Sequence, residues 1–346
     1  MAASSVRIGL IGAGKNTRDR HIPGFQAIDG VEVVSVCNRS RESSQRVADQ
    51  FGIPKVVENW RDVVEDDDVD AVCIGTWPYL HCPMTLAGLE NEKHVLTEAR
   101  MAMNAEEAHA MFDASNERPG VVTQIVPSPF TFAIDETVRS LVADGYLGEV
   151  LAIDMNVNGD QFLERDSPIA WRQSRELSGL NIMHMGIWYE ALIRWVGPAS
   201  EVMAMTTVNV PIRRDDAGNL GFVTVPDHVD VLCRMAIGAQ ARIRISSVIG
   251  LGQESGIWIN GTEGSLFIDK SGQTIMGGRK GDSALEEISI APEKRGSWQV
   301  EEEFVGAIRG QEKIKLTSFE DGVKYMEFTE AVTRSAQSGQ AVALPL

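Results

Sequence analysis

The sequence predicts an α/β fold: a doubly wound parallel sheet, followed by a second domain of strands and helices. Three observations carry this. Short apolar runs alternate with helical segments along the first part of the chain. The first of those runs ends in a glycine-rich turn. From Val202 onward, strand-like runs follow one another without intervening helices. Alternating strands and helices imply a parallel sheet covered on both faces. The right-handed crossover rule leaves few topologies for such a sheet.

The elements follow in order. Val6 to Ile11 is the first strand and leads into Gly12-Ala13-Gly14. Val31 to Cys37 is the second and Ala71 to Gly75 the third. His94 to Leu96 and Val121 to Val126 are the fourth and fifth. Helices are expected over Ser43 to Phe51, Met84 to Leu89 and Asn104 to Ser115. The last opens with a capping box, Asn104 facing Glu107. Pro127 and Pro129 interrupt the pattern, giving domains of residues 1–127 and 128–346. Ile134, Val138, Leu141 and Val142 fall at helical spacing, and Asp144-Gly145 stops that helix. Glu149 to Val157 reads as a strand. Asn181 to Val196 is expected as a helix with almost no polar face, hence buried on most sides. Strands at Val202 to Val210, Val229 to Ile237, Gln240 to Val248, Ile257 to Asn260 and Ser265 to Ile268 follow. Gly238-Ala239 and Gly261 to Gly264 are hairpin signals between them. Helices over Trp298 to Arg309 and Ser318 to Ser335 close the chain.

Composition narrows the function. A chain of 346 residues fits two domains, and 43% apolar with 23% charged residues is an ordinary globular mix. Lys and Arg number 32 against 49 for Asp and Glu, a net charge of -17. That field repels phosphate backbones and anionic membranes, and no run of Lys and Arg opposes it. Neither nucleic acid nor membrane is an expected partner. The four cysteines form no CxxC pair, so neither disulfides nor a zinc cluster is expected. No His, Cys, Asp and Glu cluster has metal spacing, so no metal is expected. No apolar run reaches the roughly 18 residues of a membrane span. Met1 to Ser5 is too short and too polar for a signal peptide. A cytoplasmic location is the expectation.

The turn Gly12-Ala13-Gly14-Lys15-Asn16-Thr17 has the strand-to-helix context of a dinucleotide fingerprint. Gly12 permits the tight turn, and Gly14 lets backbone approach a pyrophosphate. Lys15, Asn16 and Thr17 open the next helix, whose N–H groups favour an anion. Thr17 stands where the fingerprint has its third glycine. A structural turn without a ligand is the alternative. At the end of the second strand, a carboxylate would bind the ribose hydroxyls of NAD. Here the stretch is Asn38-Arg39-Ser40-Arg41. Asn38 is uncharged, and Arg39 and Arg41 can pair with a 2′-phosphate. NADP(H) is therefore favoured over NAD(H). If both arginines are merely solvated, the cofactor is NAD, held through Asn38.

Taken together, several motifs resemble the glucose-fructose oxidoreductase/inositol dehydrogenase (Gfo/Idh/MocA) family almost end to end. They are Arg7 to Gly14, Asp70 to Thr76 with Leu80-His81, and Lys93 to Glu98, then Gly145 to Val150 and Trp171-Arg172. The resemblance implies an N-terminal Rossmann domain. It also implies a C-terminal α+β substrate domain whose open, mostly antiparallel sheet forms an oligomer interface, in a dimer or tetramer. Members oxidise or reduce a secondary alcohol on a sugar, polyol or similar molecule. By the same resemblance Glu98 holds the nicotinamide ribose, His81 lies near the nicotinamide end, and Thr76 with Trp77 lines the cofactor loop. Trp77-Pro78-Tyr79 replaces the usual Pro-Asn pair, making that loop bulkier.

The departures from the family pattern bear on catalysis. The usual Glu-Lys-Pro is Glu98-Ala99-Arg100, so the lysine is absent. The usual Asp-x-Gly-x-His is His184-Met185-Gly186-Ile187-Trp188, so the histidine position holds Trp188. His184 meets the requirement for a general acid/base with a pKa near working pH. Its spacing to Trp188 and Trp195 puts the three on roughly one helix face. Tyr189 is a further acid candidate, or a core residue. Arg100 is a candidate to clamp an anionic substrate or a cofactor phosphate, or else a surface residue at a helix approach; Arg172 is a candidate to orient substrate, and His21 to line the cleft. The expected function is NAD(P)-dependent hydride transfer to or from a sugar-like alcohol or carbonyl. The alternatives are a redox-neutral elimination or glycoside cleavage, and a non-catalytic nucleotide-binding sensor. Arg39, Arg41, Arg100 and Arg172 would make the site a local basic exception on an acidic protein.

Overall fold

A computed structural model describes residues 5–159, 162–252 and 254–346. Residues 1–4, which bear on the signal-peptide reading, lie outside the described residues. The apolar runs of the first half pair as parallel strands. β1 (Val6–Ile11) leads into a helical run over 15–26, in which Thr17–His21 is π-wound and α1 is Ile22–Gln26. Then come β2 (Val31–Cys37), α2 (Arg41–Phe51), β3 (Lys55–Val57), α3 (Trp60–Val64) and β4 (Ala71–Ile74). α4 (His81–Glu90), β5 (His94–Thr97), α5 (Ala105–Asn116) and β6 (Thr123–Ile125) follow. The strand order is β3-β2-β1-β4-β5-β6, and all pairs are parallel. The order reverses between β1 and β4, the switch point where such sheets bind ligands. β4 is buried along its whole length, as a parallel strand covered on both faces should be.

β3 and α3 lie outside the expected elements, because three and five residues are too few to show a period. The α5 cap forms as expected: Asn104 Oδ1 accepts from the Glu107 N–H at 2.8 Å. The Glu107 carboxylate reaches back to the Met103 N–H at 3.0 Å, one residue beyond the usual partner.

The second half begins with α6 (Asp135–Ala143), β7 (Val150–Asn158), α7 (Arg175–Ser178) and α8 (Met185–Val196). β8 (Ala199–Thr207), β9 (Ile212–Arg214), β10 (Leu220–Phe222), β11 (His228–Met235) and β12 (Gln240–Ser246) come next. β13 (Gly256–Gly261), β14 (Gly264–Asp269), β15 (Ile275–Arg279) and β16 (Glu286–Glu287) follow. α9 (Val300–Ile308), α10 (Phe319–Ser338) and β17 (Val342–Ala343) end the chain. Nine strands form one sheet in the order β16-β15-β14-β13-β7-β12-β11-β8-β17. β7 and β12 run parallel; the other described pairs of this sheet are antiparallel. β11 shows the two-sided pattern: Val229, Val231 and Cys233 are buried, while Leu232 and Arg234 are exposed. The buried side carries α8 and α10. Tyr189 of α8 stacks on Phe328 of α10, and Ser335 of α10 accepts from the Ala204 N–H at 2.9 Å.

Two compact units result. One runs through Pro127 and includes Gln299–Val323; the other is Ser128–Trp298 with Lys324–Leu346. This corrects the expectation of a single uninterrupted second domain over 128–346. α9 buries Val300, Phe304 and Val305, with Phe304 packed edge-on against Phe25 of α1. The Ile125 N–H of β6 bonds to the Thr317 carbonyl at 3.1 Å. A segment that returns after a whole domain leaves no mark in local periodicity.

A second correction concerns α8, which starts at Met185 and not at Asn181. Met183 has φ 45° and His184 has φ −103°, ψ 13°, so neither is helical. The expectation of a mostly buried helix holds, and its polar residues are paired. Arg194 bridges Glu190 and, at 2.8 Å, Asp135. The four cysteines are buried free thiols. No helix among the described residues is long and apolar enough to cross a membrane.

Candidate functional site

At the switch point the backbones of β1 and β4 meet closely. Gly12 has φ 86°, and a Cβ there would lie 2.8 Å from the Gly75 carbonyl carbon. A Cβ on Gly75 would lie 2.2 Å from both the Gly12 carbonyl oxygen and Thr17 Oγ1. Only glycine fits at either position. Thr17 fills the place of the third fingerprint glycine: it is buried, and its hydroxyl donates to the Gly12 carbonyl at 3.2 Å. Gly14 differs. A Cβ there would meet only the Gly75 oxygen, at 3.6 Å, an ordinary contact. The protein's own packing does not require glycine at 14; the bare backbone there faces a cavity of about 700 Å³ that Gly14 helps to line. A turn kept open toward such a space fits a pyrophosphate.

The end of β2 forms another wall. Asn38 Oδ1 accepts from the Ala13 N–H at 2.6 Å, and its Nδ2 donates to the Ser43 carbonyl at 3.2 Å. The amide thus clamps the glycine turn to the first turn of α2. Arg39 lines the cavity, with its guanidinium 5.2 Å from the ring centre of Trp77, which also lines it. Arg41 pairs with Glu58 at 2.5 Å and is not among the lining residues. In its place stands Arg46. Ser43, Arg46, Val47 and Gln50 all line the cavity and fall at i, i+3, i+4 and i+7 along α2. That stripe is legible in the sequence by helical period, and only its arginine charge is new. Arg18 lines the cavity as well, whereas Lys15 is exposed and pairs with Asp19.

Behind the turn lies a buried charge cluster. His21 is fully buried in the π-wound segment. Its Nδ1 meets Glu301 of α9, and its Nε2 lies 3.1 Å from Glu98 Oε1. Asn16 Nδ2 donates to the same Glu98 oxygen at 2.6 Å. Burial alone would lower the His21 pKa, but the hydrogen bonds and charges of Glu301 and Glu98 raise it to about 9. Burial alone would raise the Glu98 pKa; the bonds and charge from His21, with Asn16, hold it below the usual carboxylate value. Glu301 carries no readable signal. It opens the run Glu301-Glu302-Glu303, which reads as a solvated helix start. Yet its side chain is 1% exposed.

The remaining first-unit candidates are mostly internal. His81 is buried, with Nδ1 2.9 Å from the Arg100 carbonyl and Nε2 3.0 Å from the Thr76 carbonyl. It ties the loop after β4 to the segment after β5, and burial lowers its pKa. Thr76 lines the cavity, its hydroxyl directed at the Met84 sulfur. Arg100 is 3% exposed, so it is not a surface residue.

In the second unit, His184 is exposed just ahead of α8, its ring edge-on to Phe130, which stacks on Trp188. The shared helix face expected for His184, Trp188 and Trp195 does not form as such, because His184 precedes the helix. Trp195 is buried and donates from Nε1 to Asp135 at 2.8 Å. Tyr189 is corrected from catalytic candidate to core residue. It is fully buried, its hydroxyl accepts from the Ala199 N–H at 2.8 Å, and burial raises its pKa. Arg172 is exposed and stacks on Trp171 at 4.2 Å. Among the described residues no group of His, Cys, Asp and Glu is placed to hold a metal ion.

Comparison with known proteins agrees with this geometry. Residues 6–125 match the model of the GFO/IDH/MocA oxidoreductase family, NAD-binding Rossmann fold. Residues 136–267 match the GFO/IDH/MocA C-terminal domain. A 1,5-anhydro-D-fructose reductase of Ensifer adhaerens is 29% identical over 97% of this chain and 97% of its own. A levoglucosan dehydrogenase of Pseudarthrobacter phenanthrenivorans is 24% identical over 68% of this chain, and the match spans 64% of that relative. A levoglucosan dehydrogenase structure in complex with NADH and L-sorbose has the same fold, with TM-score 0.87 at 23% identity. That match covers 99% of both chains. With both domain models matched in order around a glycine turn and Glu98, the chain belongs to the Gfo/Idh/MocA family of oxidoreductases.

Proposed function

We propose that the protein transfers a hydride between a nicotinamide cofactor and a secondary alcohol or carbonyl of a sugar, polyol or related molecule. The observation that carries this reading is the bare Gly14 backbone on a cavity at the switch point, with an ionised Glu98 behind the same turn. When bound, the nicotinamide supplies the hydride acceptor or donor. The backbone of Gly12 and Gly14 approaches the pyrophosphate, and Glu98 accepts a hydrogen bond from the nicotinamide ribose. The proposed group that takes or returns the hydroxyl proton is an imidazole nitrogen of His184, which is exposed just ahead of α8. Arg172, being exposed, is better suited to meet substrate than the nearly buried Arg100. The relatives, a 1,5-anhydro-D-fructose reductase and a levoglucosan dehydrogenase, support the sugar-like substrate class.

NADP(H) is the favoured cofactor. Three arginines, Arg18, Arg39 and Arg46, line the cavity against one lining carboxylate, Glu58, which Arg41 already neutralises. The position that would carry an acid for NAD is the clamping Asn38. The open face of the nine-stranded sheet is the proposed contact of a homo-oligomer. Met203, Leu232 and Trp258 lie in one register row with the Arg242–Asp154 ion pair, and Met205 lies two residues along β8. All four apolar side chains are exposed, Met205 at 80%.

Gly14→Ala should fold with unchanged thermal stability but lose most affinity for dinucleotide, read by titration of cofactor fluorescence; undiminished binding would remove the pyrophosphate from this turn. Wild-type protein should bind NADP more tightly than NAD. Arg39→Ala and Arg46→Ala should each cost roughly 1–3 kcal/mol of NADP binding, about five- to 150-fold, with little change for NAD. Tighter NAD binding in the wild type would reverse the cofactor assignment. On a sugar and polyol panel His184→Ala should abolish most turnover. Tyr189→Phe should keep turnover and lose about 1–3 kcal/mol of stability in denaturant, from the orphaned Ala199 N–H. Light scattering should show an oligomer that Met205→Glu weakens toward monomer; a wild-type monomer refutes that interface.

A further inference from the structure

His21 sits where neither the glycine turn nor the cavity requires a histidine. Both of its ring nitrogens face carboxylate oxygens, Glu301 at Nδ1 and Glu98 at Nε2. Ionised carboxylates only accept, and a neutral imidazole has one N–H to donate. Both contacts are satisfied together when the ring carries two protons. Asn16 adds a donor to Glu98 Oε1, so that oxygen takes bonds from two side chains. Among the described residues, Oε2 of Glu98 meets no protein donor, and the side chain keeps 16% of its exposure. One carboxylate oxygen is thus held by protein and the other is left for a ligand.

We infer that His21 is a positioning residue: braced by Glu301, its imidazolium holds Glu98 Oε1 so that Oε2 accepts from a hydroxyl of the nicotinamide ribose. The inference rests on the proposed function and adds to it two residues, His21 and Glu301, that never touch the cofactor. The segment that carries His21 is π-wound, and such widened turns recur at functional sites. The groups around the cluster do not compete for its proton. Phe25 faces His21 from α1. Cys73 of β4 is a buried thiol whose pKa is pushed well up by burial and by the charges of Glu98 and Glu301. Burial lowers the pKa of His81 of α4. Glu98 and Glu301 are charged partners of His21.

The sign of the pH dependence follows. The His21 pKa is raised above its ordinary 6.5, so its contribution is complete below that value and is lost as pH rises through about 9. Full-length wild type, His21→Gln and Glu301→Gln are to be titrated with NADPH and with NADH by fluorescence from about pH 6 to 10, beside thermal unfolding of each. Wild-type affinity should be flat near neutrality and weaken through pH 9. His21→Gln should bind about tenfold more weakly at neutral pH and show no alkaline weakening. In Glu301→Gln the alkaline weakening should begin at lower pH, because His21 has lost one of its two anions. Variants that melt lower yet keep the wild-type affinity and pH profile would overturn the inference and leave the proposed function standing. A wild type that binds neither nucleotide would overturn both. Should His21→Gln not fold, the wild-type profile and Glu301→Gln decide: an alkaline limb that is absent or unmoved refutes the role.

Discussion

The contact on which the molecule's chemistry depends is the near-touching of two backbones, Gly12 after β1 and Gly75 after β4. Neither position has room for a single carbon. Their hydrogen bonds tie three strands at one point: the Gly12 N–H to the Cys37 carbonyl and the Gly75 N–H to the Ile11 carbonyl, both at 2.8 Å. Because strand order reverses there, the following segments diverge, and the space between them is the cavity. Thr17 and Asn38 then brace the turn from either side, one by its hydroxyl and one by its amide. The bracing of the cavity-facing backbone comes from these side chains and not from the fingerprint glycines alone.

A second constraint is electrostatic. The chain carries -17 overall, yet arginines from three separate segments line the cavity. Inside the first unit the buried pairing of His21 with two glutamates keeps Glu98 ionised despite its burial. Removing one partner from such a cluster leaves a charge without compensation, which is why clusters of this kind are costly to disturb. In the second unit, Arg194 with Glu190 and Asp135 follows the same rule for a different end, holding α8 to α6.

Much of the fold was legible. β1, β2, β4 and β5 showed as apolar runs, the α5 cap showed as Asn104 and Glu107, and two hairpins showed as Gly238-Ala239 and Gly261 to Gly264, because each signal is local. β3, α3 and β16 are too short to show a period. The start of α8 was misread because the apolar run continues through Asn181 to His184 while the backbone there is not helical. The later start places His184 at an exposed position ahead of the helix; Tyr189 lies within α8 in either reading, and its burial assigns it to the core.

Within the site the same division holds. Gly12, Gly14 and Glu98 were legible because turn geometry and family motif demand them at set places along the chain. Asn38 stands out in the sequence by its place at the end of β2, but its bond to Ala13 depends on how β2 lies beside β1. Arg41 and Arg46 differ only in which side of α2 they occupy, and the pairing of Arg41 with Glu58 decides between them. Glu301 is 280 residues from His21. The sequence by itself determined the parallel-sheet class, the nucleotide turn and the family, since these rest on period, composition and short-range geometry. Only the tertiary structure decided which charged groups meet. That depends on bringing α9 back to the first unit, and contacts between distant segments leave no periodic trace in either one.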